Sequence, residues 1–101
     1  MPVDDCSDVL KALADRTRQR IVKALLTTDL SVNELTEQLE LSQYNTSKHL
    51  GVLKAAGIVE ARAMGTRREY FIGTSFRRRM EEGGMTLDFG CCTFRMDQLP
   101  D

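Results

Sequence analysis

Cysteines are the most reactive side chains in this sequence, and there are three of them. Cys91 and Cys92 are adjacent, and Cys6 lies near the N-terminus. Three thiolates suit a soft, thiophilic ion such as As(III), Sb(III), Cd(II), Hg(II) or Cu(I). Adjacent side chains of a strand point to opposite faces, so Cys91 and Cys92 could share an ion only if the chain turns there, which Gly90 would permit. Two other interpretations stay open: oxidation of a redox switch, and a structural role as small buried hydrophobic residues.

A run of polar side chains from Ser42 to His49 could form hydrogen bonds with a polar macromolecule. Gln and Asn pair bidentately with adenine, Lys pairs with guanine, and Ser or Thr pairs with several bases. The alternative is a solvated helix face that binds nothing. The candidate DNA-contacting residues in this run are Ser42, Gln43, Asn45, Thr46, Ser47, Lys48 and His49.

The sequence predicts two short helices that would position this run, over residues 31–39 and 42–56. The first begins with a capping box formed by Ser31 and Glu34, and the second is capped by Ser42. Such a pair with a short connection is a helix-turn-helix. In that motif the second helix enters the DNA major groove and reads base edges with its N-terminal residues.

The remaining elements follow from hydrophobic periodicity and turn signals. Upstream, apolar residues at helical spacing predict one helix from Ser7 or Asp8 to about residue 14 and another over 16–27. Downstream, two strand-like runs, 58–64 and 67–73, are separated by Gly-Thr, which indicates a hairpin.

We therefore expect a mostly α fold with a small β-hairpin, a winged helix-turn-helix. A short helix over 75–82 is expected to complete a DNA-binding domain at residues 1–82. Residues 83–101 would be a C-terminal tail that carries the cysteine pair and serves as an effector or dimer segment. A chain of 101 residues buries only a thin core, which favours dimerisation.

Charge is segregated along the chain, although the formal net charge is only −1. Residues 42–79 contain eight bases and two acids, a local net charge of +6, whereas both flanks are acidic. A polyanionic partner is therefore expected at this segment. Arg62, Arg67 and Arg68 flank the hairpin turn, where a basic wing can follow the DNA backbone or enter the minor groove. A solvated hairpin is the alternative.

Three motifs occur in order along residues 8–72. They are Ala-Leu-Ala-Asp-x-Thr-Arg-x-x-Ile, then Leu-Ser-Gln-x-x-x-Ser-x-His-Leu-x-x-Leu, then Ala-Gly-Ile-Val before the arginine-rich strands. Together they resemble the ArsR/SmtB family of winged helix-turn-helix repressors. The resemblance implies a homodimer that binds double-stranded operator DNA near inverted repeats and releases it when an effector binds. It assigns the polar run to DNA reading, and Arg67 and Arg68 to the wing.

The chain departs from that family at the two commonest metal sites. Metal-sensing members often carry Cys-x-Cys in the third helix, but the matching stretch, DLSVNEL, has no cysteine. The family's long C-terminal helix can carry Asp, His or Glu ligands, but FRRRMEEGG is short and His49 is the only histidine. The cysteines Cys6, Cys91 and Cys92 therefore remain the candidate ligands for As(III) or another thiophilic ion.

Other classes of protein are disfavoured. The sequence contains no nucleophile–base pair, phosphate loop or paired carboxylates, so an enzyme is not expected. No apolar run approaches the ~20 residues of a membrane span, and the acidic N-terminus does not resemble a signal peptide. A cytoplasmic protein is expected. The remaining alternative is a protein-interaction module, because a winged helix can bind a partner protein through the same surface.

Overall fold

The computed structural model describes residues 6–88 and 93–100, except the side chains of Cys6 and Asp88. Within these residues no helix is both long enough and apolar enough to cross a membrane. The elements in chain order are α1 (Cys6–Leu13), α2 (Arg16–Thr27), β1 (Leu30–Ser31), α3 (Val32–Leu39), α4 (Gln43–Ala55), β2 (Val59–Met64), β3 (Arg67–Ile72), α5 (Thr74–Glu82), β4 (Thr86–Asp88), β5 (Thr93–Arg95) and a 3₁₀ turn (Met96–Gln98).

Side-chain caps define the helix-turn-helix formed by α3 and α4. The Ser31 hydroxyl accepts from the Glu34 amide at 3.2 Å, and the Glu34 carboxylate accepts from the Ser31 amide at 2.9 Å, so the predicted capping box is confirmed. Ser42 caps α4 by accepting from the Asn45 amide at 3.1 Å. After α4, Gly57 has a φ of 80°, the left-handed conformation that often ends a helix.

The wing is part of a three-stranded antiparallel sheet with the order β1-β3-β2. The predicted hairpin is confirmed, with Val59 opposite Ile72 and Met64 opposite Arg67. Strand β1 was not predicted, because two residues are too few to show a period. Ser31 belongs to β1, where it pairs with Glu69, and is also the N-cap of α3.

The core lies between the helices and the inner face of the sheet, and most of the predicted apolar stripes face it. Leu10 is an exception on α1, because 44% of its surface is exposed. The apolar residues of α1 to α4 that recur at helical spacing and are buried are Val9, Leu13, Ile21, Val22, Leu25, Leu35, Leu39, Leu50 and Leu53.

The described part of the C-terminal segment packs on the body. Strands β4 and β5 pair with each other, and the backbone N–H of Met96 donates to the carbonyl of Met85 at 2.7 Å. Leu87 and Met96 are buried in the same hydrophobic cluster as the helices. These two side chains therefore extend the core of the helical domain.

Candidate nucleic-acid interface

Helix α4 has one buried and one exposed face. Leu50 and Leu53 are fully buried, so this face packs on the core. Six consecutive or near-consecutive side chains at the start of α4 are exposed: Ser42, Gln43, Tyr44, Asn45, Ser47 and Lys48. These six residues, here called the polar row, carry hydroxyl, amide and ammonium groups on the protein surface.

Tyr44 is the member of the polar row that the sequence-based prediction omitted. Its side chain is 75% exposed. The spacing of Tyr44 and Lys48 contained the signal, because residues four apart lie on the same side of a helix. An exposed aromatic ring here can contact a base methyl group or a sugar.

Thr46 was predicted to contact DNA, and the structure contradicts this. The residue has no exposed surface. Its hydroxyl donates to the Ser42 carbonyl at 2.9 Å and accepts from the Thr36 hydroxyl at 2.9 Å. Thr46 therefore faces α3 and helps to fix the angle between the two helices of the motif.

Gln43 is held by a neighbour on α3. Its amide Nε2 donates to Oδ1 of Asn33 at 2.8 Å, and both side chains are exposed. This bond orients the Gln43 amide, so that its remaining donor and acceptor point away from Asn33. Asn33 was not predicted as a site residue, because the two residues are ten positions apart in different helices.

His49 is half-buried beneath the polar row. Its Nδ1 atom lies 3.1 Å from Nη1 of Arg18 on α2. Arg18 also has a carboxylate neighbour, Asp15, at 3.9 Å. His49 thus has an intramolecular partner, and its ring links α4 to the helix that packs behind it.

Arg62 is held along the wing rather than at its tip. Its guanidinium forms an ion pair with Asp29 and lies 3.6 Å from the Glu69 carboxylate, which is opposite Arg62 in the sheet. The guanidinium also lies over the Phe71 ring, 4.6 Å from its centroid. Such cation–π stacking adds to the two ion pairs.

Arg67 and Arg68 are adjacent but have different surroundings. Arg67 donates to Glu34 at 2.5 Å and lies 3.8 Å from Glu69. The Ser31 amide, and to a smaller extent Arg67, hold the pKa of Glu34 below its ordinary value. Arg68 is exposed and lies opposite Ala63. Among the described side chains, Arg68 forms no ion pair.

A groove separates the start of α4 from the tip of the wing. It is bounded by Asn33, Glu34, Gln43, Thr66, Arg67 and Arg68. The start of α4 and the tip of the wing thus flank one depression on the surface.

Comparisons with known proteins identify the family to which this chain belongs. The model for bacterial regulatory proteins of the arsR family matches residues 15–61. HlyU from Vibrio cholerae has a solved structure that is 36% identical, with 75% of this chain and 84% of that chain covered and a TM-score of 0.66. The chain belongs to the arsR family.

Two further relatives agree with this assignment. The homodimeric winged helix-turn-helix domain of Mb0332 from Mycobacterium bovis is 32% identical, with 77% of this chain and 73% of that chain covered and a TM-score of 0.69. The transcriptional regulator Rv2034 from Mycobacterium tuberculosis is 48% identical over 60 residues, which is 59% of this chain and 56% of that protein. The arsR-family chain spans about half the length of the first curated relatives it matches. The winged helix-turn-helix prediction is confirmed, and the relatives are regulators, not enzymes.

The side chains of all three candidate metal ligands lie outside the part of the arsR-family fold that the structure describes. Cys91 and Cys92 lie outside the described residues, and Cys6 begins α1 with an undescribed side chain. Within residues 6–88 and 93–100, no group of three or more His, Cys, Asp or Glu side chains could hold a metal ion. The thiol site therefore remains a prediction from the sequence.

Proposed function

We propose that this arsR-family chain is a homodimeric transcription repressor that binds double-stranded operator DNA. The observation that carries the proposal is the polar row of α4, which is exposed on the side opposite the buried Leu50 and Leu53. A helix of this kind has the shape and the hydrogen-bonding groups that the major groove accepts. The net charge of +6 on residues 42–79 supplies attraction to phosphate.

In this proposal the N-terminal half of α4 enters the major groove. Gln43, oriented by Asn33, and Asn45 read base edges, and Lys48 contacts guanine or phosphate. The backbone N–H groups at the start of α4 attract a phosphate of the same groove. The wing follows the adjacent backbone or minor groove. In a two-fold dimer, the half-sites would lie about one helical turn, ~34 Å, apart.

Repression is the proposed sign of regulation. Among the relatives, proteins from Xylella fastidiosa and Bacillus subtilis are named as repressors, whereas HlyU is named as a transcriptional activator. The homodimeric state draws support from Mb0332. A dimer that covers two half-sites would block access of other proteins to the same duplex, which is the simplest route to repression.

Substitutions in the polar row test the DNA-binding proposal. Gln43→Ala and Lys48→Ala are each expected to weaken binding to a duplex selected by the protein from a random-sequence pool by about tenfold or more, because a good base contact contributes about 1–3 kcal/mol. Lys54→Ala is the matched control, because Lys54 is also exposed on α4 but lies in its last turn. Affinity is measured by fluorescence anisotropy at a fixed salt concentration. Unchanged affinity in both variants would contradict the placement of α4.

Salt dependence separates DNA binding from the alternative of a protein-interaction module. Neutralisation of several phosphates makes the affinity fall steeply as salt rises. The unaltered chain is therefore expected to lose affinity for the selected duplex by orders of magnitude between low and moderate salt. Weak binding to every duplex, with no salt dependence, would favour a protein partner.

The proposed effector is a thiophilic ion such as As(III), bound by Cys91 and Cys92 with Cys6 as a further ligand. The support is the affinity of thiolates for soft ions and the likeness to a Pseudomonas putida regulator named for arsenic resistance. The double variant Cys91→Ser/Cys92→Ser is expected to bind the duplex normally but to keep it when As(III) is added. Native mass spectrometry of the reduced protein reports the number of subunits and of bound ions. Release of DNA by As(III) from the double variant would refute the thiol site.

Thiol oxidation is the second candidate for the effector signal. One solved structure of HlyU, 36% identical to this chain, is described as the reduced form of that protein. If oxidation is the signal, then peroxide releases the DNA from the unaltered chain, and a reductant restores binding, without any metal ion. The same double cysteine variant should be insensitive to peroxide.

A further inference from the structure

On the basis of the proposed DNA binding, we propose that the three wing arginines have two different roles. Arg62 and Arg67 are positioning residues that fasten the wing to the body, whereas Arg68 is the wing residue that contacts a DNA phosphate. The three arginines look equivalent in the sequence, but the structure gives them different partners.

Arg67 is engaged by a carboxylate that is itself fixed. Oε1 of Glu34 accepts both the Ser31 amide at 2.9 Å and the Arg67 guanidinium at 2.5 Å. The Ser31 amide holds this carboxylate in place, so Arg67 does not have to order a mobile partner. The bond connects the tip of the wing to the first turn of α3.

Arg62 is fastened further along the same face. Asp29 and Glu69 both pair with it, and the Phe71 ring supports the flat side of the guanidinium. Both carboxylates lie at Nη2 of this guanidinium, so a phosphate that approached Arg62 would also approach two negative charges.

The charges on this face also disfavour a phosphate. We call Asp29, Glu34, Glu69, Arg62 and Arg67 the wing-root cluster; its three carboxylates and two guanidinium groups carry a net charge of −1. A phosphate that approached Arg67 would also approach Glu34, which is 2.5 Å from it, and like charges repel.

Arg68 faces the other way. Consecutive strand residues point to opposite faces, so Arg68 lies on the face of β3 opposite to Arg67 and Glu69, although both arginines border the groove. The residue is exposed, and among the described side chains no carboxylate lies within ion-pair distance of it. It also borders the groove beside Gln43. Glu34 and Glu37 also border this groove, so we expect the phosphate on the side of Arg68 that faces away from these two acids.

The slope of log K against log salt for the selected duplex tests this division. Each phosphate contact contributes about 0.9 to the slope, which is a three- to fourfold change in affinity between 50 and 200 mM salt. Arg68→Gln is expected to reduce the slope by about 0.9 for each wing on the duplex. Arg67→Gln is expected to leave the slope unchanged while lowering affinity at every salt concentration by the same factor.

Glu34→Gln provides the decisive comparison, because glutamine can still complete the capping box. If Arg67 is a fastener, then Glu34→Gln and Arg67→Gln both lower affinity, and the double variant is no worse than Arg67→Gln alone. If Arg67 is a DNA ligand that Glu34 restrains, then Glu34→Gln raises affinity and Arg67→Gln reduces the slope. The latter pair of results would overturn the inference.

A measurement without DNA keeps the two proposals separable. Amide hydrogen exchange in β2 and β3 is expected to be faster in Arg67→Gln and Glu34→Gln, and unchanged in Arg68→Gln. Equal exchange in all three variants would refute the fastening role even if the chain binds DNA. Absence of salt-dependent duplex binding in the unaltered chain would instead refute the proposed function, and with it the role of Arg68.

Discussion

Arg18 and His49 are joined by a contact of 3.1 Å between Nη1 of the arginine and Nδ1 of the imidazole ring. A guanidinium can only donate, so this contact is a hydrogen bond when Nδ1 is the unprotonated nitrogen of the ring. Arg18 also donates to the carbonyls of Ala12 at 2.7 Å and Lys11 at 3.1 Å, which are in the last turn of α1. One side chain therefore connects α1, α2 and the proposed recognition helix α4.

Removal of Arg18 should destabilise the fold. Arg18→Met keeps most of the aliphatic stem but leaves two carbonyls and His49 without their donor, and a hydrogen bond to a charged group contributes about 1.5–3 kcal/mol. We expect the free energy of unfolding to fall by about that amount in urea titrations. Arg16→Met is the matched control, because Arg16 is exposed on the same helix and should change stability by less than about 0.5 kcal/mol. Similar losses in the two variants would show that the contacts of Arg18 carry no special weight.

Stability should decrease in acid partly through Asp15. The Arg18 amide, with help from the charge of Arg18, lowers the pKa of Asp15 below its ordinary value of 3.8. A carboxyl whose pKa is lower in the folded state contributes stability above the unfolded pKa and loses it as pH falls through the folded pKa. Asp15→Asn keeps a capping side chain that does not titrate.

The free energy of unfolding of Asp15→Asn should therefore fall less than that of the unaltered chain between about pH 5 and pH 2. Chemical denaturation at several pH values measures this. The lowered pKa of Glu34 acts in the same direction and remains in both proteins, so some acid dependence persists. Parallel pH profiles would contradict the capping role of Asp15.

Thr46 should affect DNA binding indirectly, because it helps to fix the angle between α3 and α4. Thr46→Val is nearly isosteric but removes the bonds to Thr36 and Ser42, which should cost about 0.5–1.5 kcal/mol of stability. We expect weaker duplex binding with an unchanged salt slope, because no phosphate contact is lost. Thr46→Ser keeps the hydroxyl and should restore affinity. A lower slope in Thr46→Val would instead indicate that the residue contacts the backbone.

The C-terminal segment should contribute to the core. Leu87→Ala and Met96→Ala each remove a buried side chain and should lower the free energy of unfolding by about 2–5 kcal/mol. Gln98→Ala is the control, because Gln98 is exposed two positions after Met96. Thermal or urea unfolding measures all three. Core variants as stable as the control would show that this segment is dispensable to the fold.

Two glycines should respond to alanine in opposite ways. A Cβ at Gly51, in the middle of α4, would meet nothing within 4 Å, so Gly51→Ala should stabilise the helix by about 0.5–1 kcal/mol. A Cβ at Gly73 would lie 2.8 Å from the Gly57 carbonyl, so Gly73→Ala should destabilise the chain. The midpoint of thermal unfolding should be higher in Gly51→Ala and lower in Gly73→Ala than in the unaltered chain.

Local sequence patterns predicted most of the fold, because its longer helices and its hairpin show a helical period, a capping box or a turn sequence. Residues 16–27 form the predicted helix with the same bounds, and the capping box at Ser31 marked the start of α3 correctly. Gly65 and Thr66 marked the hairpin turn. The strands β1, β4 and β5 were not predicted, since a strand of two or three residues is too short to show alternation.

The candidate site was predicted in composition but not in its contacts. Asp29 and Arg62 are 33 positions apart, as are Glu34 and Arg67, and no local pattern couples them. Thr46 lies between exposed residues, so its type could not reveal that it faces α3. Such pairings depend on how the sheet meets the helices, which only the folded structure determines.

Ser31 is at once the last residue of a strand and the cap of a helix. No spacer separates the sheet that carries the hairpin from the helix that precedes the recognition helix, so the chain has no joint at that point. A displacement of the wing is therefore transmitted through β1 directly to α3. We therefore expect the wing and the helix-turn-helix to bind a duplex as one rigid body. An effector that changes the affinity for DNA would then change the orientation of both elements together.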